Sequence, residues 1–225
     1  MPRTSRIVIP GVPHHVVQRG NRRQPIFFSD ADRDRYVDWL AEGCRRFATT
    51  CLGWCLMNNH VHLILVPSTA DGLRGPIASA ATRLSQRINL SQQTSGHLFQ
   101  GRYASYAMDE AHLMIALRYI ENNPVKAGLV DAAERWAWSS AAAHVARRPD
   151  RLVSGREFAE AVPNWRAMLA RGLEAAEDED LVVETALLSG RPRAGPAWLA
   201  AHASHIGDRA TPGRRGRPPQ TKQAN

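Results

Sequence analysis

Apolar residues in this chain follow two rhythms, one of period two and one of period three to four, and their order predicts a fold. HHVVQ (His14 to Gln18) is a short β-branched run after Pro13 that stops at RGNRRQ, a basic turn holding Gly20 and Asn21, so a strand followed by a loop is predicted. Tyr36, Val37, Leu40, Cys44 and Phe47 recur at helical spacing. Ser29, three residues before Asp32, looks like a capping box, so this helix should run from about Asp30 to Phe47. Cys51 to Met57 and His60 to Val66 are apolar runs separated by Asn58-Asn59, residues that tolerate the left-handed backbone of a tight hairpin, and they predict an antiparallel pair. From Leu73 onward Ile77, Ala81, Leu84 and Ile88 mark a second amphipathic helix, with Arg83 and Arg87 one turn apart on a more polar side. His97 to Ala107 reads as a glycine-interrupted extended segment. Asp109 or Glu110 then opens a third helix through Leu113, Leu117 and Ile120, which Pro124 should end. Strand, helix, strand, strand, helix, strand, helix predicts an α+β sandwich: an antiparallel sheet covered on one face by helices.

Composition adds boundaries and partners. At 225 residues, 44% apolar and 22% charged, the chain can hold one packed domain and an appendage. After about Val145 the residues shift to Arg, Pro, Ala and acidic types, and the last stretch is rich in Pro, Gly and Arg. The expected organisation is a core domain over 1–145, a helical appendage over 146–208 and a disordered basic tail over 209–225. A formal charge of +8 favours anionic partners, nucleic acid or an anionic membrane surface, because each neutralised phosphate releases a counterion. The basic N-terminus carries no apolar stretch of signal-peptide length, and no run reaches the roughly 18 to 20 apolar residues that span a bilayer. A soluble, cytoplasmic protein is therefore expected. Cys44, Cys51 and Cys55 are an odd number without a CxxC pair, which indicates neither a disulfide framework nor a zinc ribbon.

Candidate chemistry centres on His60-Val61-His62. Side chains alternate along a strand, so both imidazoles share one face while Val61, Leu63 and Leu65 take the other, and two neutral nitrogens on one face can hold a divalent metal. Taken alone, such a pair is more often ordinary hairpin histidines. Tyr119 and Asn123 lie four residues apart and adjacent on the third helix, beside its apolar stripe. An amide oxygen could complete a metal shell, and a phenolic oxygen beside a polarised phosphate could attack phosphorus. Two imidazoles plus an amide, with open positions, suit manganese and are tolerable for magnesium. Zinc held by Cys51, Cys55, His60 and His62 is a rival that the wide cysteine spacing disfavours.

WCLMNNHVHLILVP, GHLFQGRYAS and RYIENNPVKAGLV, in that order and preceded by HHVVQRGNRRQPIFF, resemble the REP-associated tyrosine transposases, the single-tyrosine branch of the HUH superfamily, over roughly Pro13 to Ser140. The resemblance implies a ferredoxin-like domain that binds single-stranded or hairpin DNA and cleaves it with Mg2+ or Mn2+. It places metal ligands at His60, His62 and Asn123 and the nucleophile at Tyr119. Cleavage would leave a 5′-phosphotyrosine and a free 3′-hydroxyl, reversed by a second hydroxyl end without a nucleotide cofactor. Monomer and homodimer both remain open.

Arg19, Arg22, Arg23, Arg83, Arg87 and Arg102 are candidate DNA contacts, each of which could equally be a solvated charge. Phe99, Tyr103 and Tyr106 could stack on unpaired bases, with core packing the competing role, strongest for Phe99. Arg215-Gly216-Arg217-Pro218 looks like an AT-hook core or, equally, a plain basic tail. Two other functions compete: a hairpin-binding protein derived from a transposase but without catalysis, and a metal-dependent hydrolase with Tyr119 as a bystander.

Overall fold

The computed structural model describes residues 6–155, 157–174 and 176–207. Strand β1 (His14–Arg19) leads to helix α1 (Asp30–Arg46), then the hairpin β2 (Thr49–Leu56) and β3 (His60–Pro67), helix α2 (Arg74–Ser91), strand β4 (Ala104–Ala107) and helix α3 (Glu110–Lys126). This is the expected order. The strands form one antiparallel sheet, β2-β3-β1-β4, the ferredoxin-like arrangement in which each of α1 and α2 links strands that are not neighbours. The capping box is real: Ser29 Oγ accepts from the Asp32 amide, and Asp32 Oδ2 accepts from the Ser29 amide at 3.0 Å.

The sheet is covered on both faces rather than one. Val16, Trp54, Leu56, Val61, Leu63 and Leu65 pack with Tyr36, Leu40, Leu73, Ile77 and Leu84 of the α1/α2 side. Leu52, Cys55, Ile64 and Tyr106 pack with Leu113, Leu117, Tyr119 and Ile120 of α3. The cause lies in the strands: β2 and β3 are nearly continuous apolar runs and buried almost throughout, which only a two-sided cover can satisfy. A bulge between Cys51 and Gly53 sends Cys51 to the α1/α2 side while Cys55 faces α3. On the first side the helices touch closely, since a Cβ on Gly43 of α1 would lie 2.7 Å from Pro76 Cα of α2.

Pro124 does not end α3, which runs on to Lys126. Proline has no amide to donate to Ile120 O, yet the helix continues through it, and the stop comes at Gly128, left-handed at φ 67°. There the Gly128 amide donates to Val125 O and the Leu129 amide to Pro124 O, satisfying the terminal carbonyls.

Past α3 come α4 (Ala141–Ala146), at the end of the span expected as core, and then the C-terminal helices α5 (Glu157–Glu160), α6 (Trp165–Glu174), α7 (Ala176–Ser189), α8 (Pro196–Ala201) and α9 (Ala203–Ile206). Trp165, Met168 and Leu169 of α6 and Val183 and Ala186 of α7 share one core cluster with α3. Buried Glu121 of α3 ties these pieces together: Oε1 accepts from Ser140 Oγ at 2.5 Å and bonds His144 Nδ1 at 2.7 Å, while Oε2 accepts from Trp165 Nε1 at 2.7 Å. The basic tail, with Arg215 and Arg217, lies outside the described residues. Among the described residues no helix is long and apolar enough to cross a membrane.

Candidate active site

β3 presents His60 and His62 to the α3 face of the sheet, as alternation requires, with ring centroids 4.7 Å apart. Each ring is held by its Nδ1. His60 Nδ1 lies 2.6 Å from Asn59 Oδ1, an oxygen that can only accept, so His60 carries its proton there and leaves Nε2 as a lone pair. His62 Nδ1 lies 2.9 Å from Nε2 of His15, a β1 residue on the same face, and among the described residues His62 Nε2 is buried without a hydrogen-bond partner. Burial, and then the nearby Arg19 charge, lower the His60 pKa to about 4. Burial, reinforced by His60, holds His62 well below the usual histidine range, so both rings are neutral at pH 7 and able to bind a cation.

α3 carries Tyr119 to the same place. Its ring sits 5.5 Å from that of His62 and 6.1 Å from that of His15, edge-on to both. Burial raises the Tyr119 pKa to about 12; Glu184 and Asp180 of α7 push the same way, whereas Arg19 and a hydrogen bond from the Asn123 side chain oppose them. The two adjacent asparagines divide the work: Asn122 is buried and donates to Leu169 O at 2.8 Å, while half-buried Asn123 turns to Tyr119. Lys126, one further turn along, stands 5.4 Å from the Tyr119 ring.

Four of the anticipated site residues, His60, His62, Tyr119 and Asn123, are thus gathered on one face. Among the described residues no three His, Cys, Asp or Glu side chains converge as a metal site. A cation at the two histidines would therefore need neutral oxygen, and an amide fits: two imidazole nitrogens plus amide and water oxygens suit manganese and tolerate magnesium. The orphaned Nε2 of His62 is the atom that such an ion would satisfy. The zinc alternative fails because Cys51 lies on the opposite side of the sheet.

The arginines divide into two groups. Arg19 pairs in register with His60 across β1 and β3, is half-buried, and makes no ion pair among the described residues. Arg22 and Arg23 are exposed in the 3-10 turn Asn21–Arg23 that follows, both left-handed at φ 52° and 61°. Exposed Arg102 lies in the segment whose Leu98 and Gln100 bond Asn21 and Arg19. Arg83 and Arg87 belong to α2, behind the sheet, and pair with Glu42 at 2.6 Å and Asp32 at 2.7 Å. Phe99, Tyr103 and Tyr106 are buried in the core, which removes them as exposed stacking platforms.

Reading the sequence passed over His15 and Asn59. His15 shares the period-two face of Val17 and Arg19, but its meeting with His62 depends on the β1/β3 register. Asn58-Asn59 predicts a left-handed turn, yet neither residue is left-handed. Their side chains do the fixing instead: Arg33 donates to Asn58 Oδ1 at 2.8 Å, and Asn59 Nδ2 donates to Arg23 O at 3.0 Å.

Residues 10–123 match the model of a family described as IS200-like transposases, a span that contains His15, His60, His62 and Tyr119 and ends on Asn123. A Haemophilus influenzae protein described as a REP-associated tyrosine transposase is 24% identical over 51% of this chain and 76% of its own length. A solved structure described as a REP-associated tyrosine transposase bound to a REP hairpin is similar with a TM-score of 0.55 at 20% identity, covering 69% of this chain and 92% of that one. That likeness shows the fold.

Proposed function

The chain belongs to the IS200-like transposase family, and from that premise we propose that it cleaves and rejoins single-stranded or hairpin DNA, with Tyr119 as nucleophile and a divalent cation, Mg2+ or Mn2+, held by His60, His62 and Asn123. The observation that carries the reading is the meeting of the Tyr119 ring with His62, whose buried Nε2 has no partner, inside the family-matched segment.

The cation, when bound, polarises the scissile phosphate and offsets the charge that builds on it. The protein's own groups do the rest. Tyr119 Oη attacks phosphorus, the bond from phosphorus to the 3′-oxygen breaks, and the phenolic proton ends on the departing 3′-hydroxyl. A 5′-phosphotyrosine remains. A second 3′-hydroxyl then attacks the same phosphorus and releases the phenol, so phosphodiester bonds are exchanged and none is spent. With its pKa near 12 the free phenol is protonated at pH 7. The Asn123 hydrogen bond and the Arg19 charge favour the phenolate that attack requires. Arg19, and beyond it Arg22, Arg23 and Arg102, line the approach for backbone phosphates, whereas Arg83 and Arg87 are engaged behind the sheet. The hairpin substrate is favoured by the complex in which the structural relative was solved.

The test is to incubate the protein with a labelled single-stranded hairpin from the repeats flanking its gene, plus Mn2+, and resolve the products on a denaturing gel. A protein–DNA adduct that vanishes in Tyr119→Phe, in His60→Ala and with chelator is expected. Binding without adduct would favour the binding-only reading, and cleavage that survives Tyr119→Phe would favour the hydrolase.

A further inference from the structure

We infer that His15 and Asn59 are positioning residues for the two candidate metal ligands, Asn59 fixing the proton of His60 on Nδ1 and His15 placed to accept from His62 Nδ1, so that both Nε2 lone pairs can face the cation. The inference rests on the metal reading above and adds residues to which neither that reading nor the family match assigns a role.

The geometry is the same at both rings. Asn59 Oδ1 meets His60 Nδ1 at 2.6 Å, and His15 Nε2 meets His62 Nδ1 at 2.9 Å. Asn59 cannot present its amide nitrogen to His60, because Nδ2 is committed to Arg23 O at 3.0 Å. The proton on His60 is therefore fixed at Nδ1. In the His15–His62 pair one ring must donate and the other accept. If His62 donates, its Nε2 is a lone pair and the spare proton sits on His15 Nδ1; if His15 donates, His62 Nε2 carries a proton and cannot bind a metal.

Stability does not account for this pair. His15 Nδ1 and His62 Nε2 are both buried and unpartnered, and each unmet polar atom costs about 1–3 kcal/mol. A cation at His62 Nε2 would satisfy one of these atoms and select the tautomer in which His15 accepts. His15 is also packed in place: its ring lies edge to edge with that of His62, centroids 5.2 Å apart, and meets Tyr106 and Tyr119 edge-on at 5.5 and 6.1 Å. Partners on the outer nitrogen of a metal-binding histidine fix its orientation and raise its basicity, and their loss weakens binding by about 10- to 100-fold.

The experiment is Mn2+ titration of the full chain by calorimetry, supported by Mn2+ electron paramagnetic resonance, with metal-free melting curves to verify folding. His15→Leu, which removes the acceptor, should weaken Mn2+ binding about 10- to 100-fold. His15→Gln, whose side-chain oxygen can reach the same position, should recover most of the affinity. Asn59→Ala, in the half-exposed hairpin turn, should show a similar loss and provides a second reading if His15→Leu does not fold. Wild-type affinity in His15→Leu and Asn59→Ala, alongside lost binding in His60→Ala, overturns the positioning role and leaves the metal site standing. If the wild type takes up no Mn2+, or His60→Ala binds as tightly as it does, the metal site itself falls and this inference with it.

Discussion

Histidine is the residue type on which this molecule depends most, and burial decides its behaviour. His14 and His60 are lowered by burial to about 4 and His15 to about 3, with His62 displaced in the same direction. In the unfolded chain all four return to the ordinary value near 6.5. Because the unfolded chain binds more protons between these limits, the stability from neutral burial is complete above pH 6.5 and is lost as pH falls towards 4. For a fully buried ring such as His15 the loss is about 1.4 kcal/mol per pH unit. Melting temperature, measured without metal, should hold between pH 8 and 7 and drop steadily from about 6.5 to 4.5; a flat profile over that lower range would refute the neutral assignment. At this scale the sequence disclosed what a period of two or four can disclose. His60 with His62, and Tyr119 with Asn123, share faces by spacing alone. His15 depends on which strands pair and in what register, and Asn59 on which of its polar atoms finds a partner, neither of which spacing encodes.

The elements follow from local rules wherever local rules dominate. Capping at Ser29, the helical stripes of α1 and α2 and the hairpin between β2 and β3 could all be read from the chain, and so could the order of all seven core elements. Two features lie beyond local rules: α3 continues through Pro124 to its stop at Gly128, and the apolar continuity of β2 and β3 calls for a second helical layer. The α1–α2 contact offers a test in which two terms oppose each other. Alanine is a better helix former than glycine by about 1 kcal/mol, so Gly43→Ala would stabilise an isolated α1. In the folded protein its Cβ would meet Pro76 Cα at 2.7 Å, a backbone atom that cannot swing aside, and such overpacking costs about 1–3 kcal/mol. The clash should prevail, lowering the urea midpoint relative to wild type. An unchanged or raised midpoint would mean that the helices can separate at little cost.

Across the whole molecule, charge and covering layers are unevenly shared. Arg22 and Arg23, past the end of β1, are exposed, whereas Arg83 and Arg87 behind the sheet are paired with Glu42 and Asp32. The shift in composition after Val145 sets those residues apart as an appendage, and it does not reveal that α6 and α7 complete the layer over α3. Those helices grip the tyrosine-bearing helix at four points: Trp165 on Glu121, Leu169 on Asn122, Glu179 on Arg118, and Asp180 on Lys126. A helix held this way by its own chain is not free to be lent to a neighbour. Mixing a chain that lacks the proposed nucleophile, Tyr119→Phe, with one that lacks a proposed metal ligand, His60→Ala, should therefore restore no adduct at any ratio, because neither chain can supply the missing part to the other. Two such alleles in one cell would fail to complement, each remaining as inactive beside the other as alone.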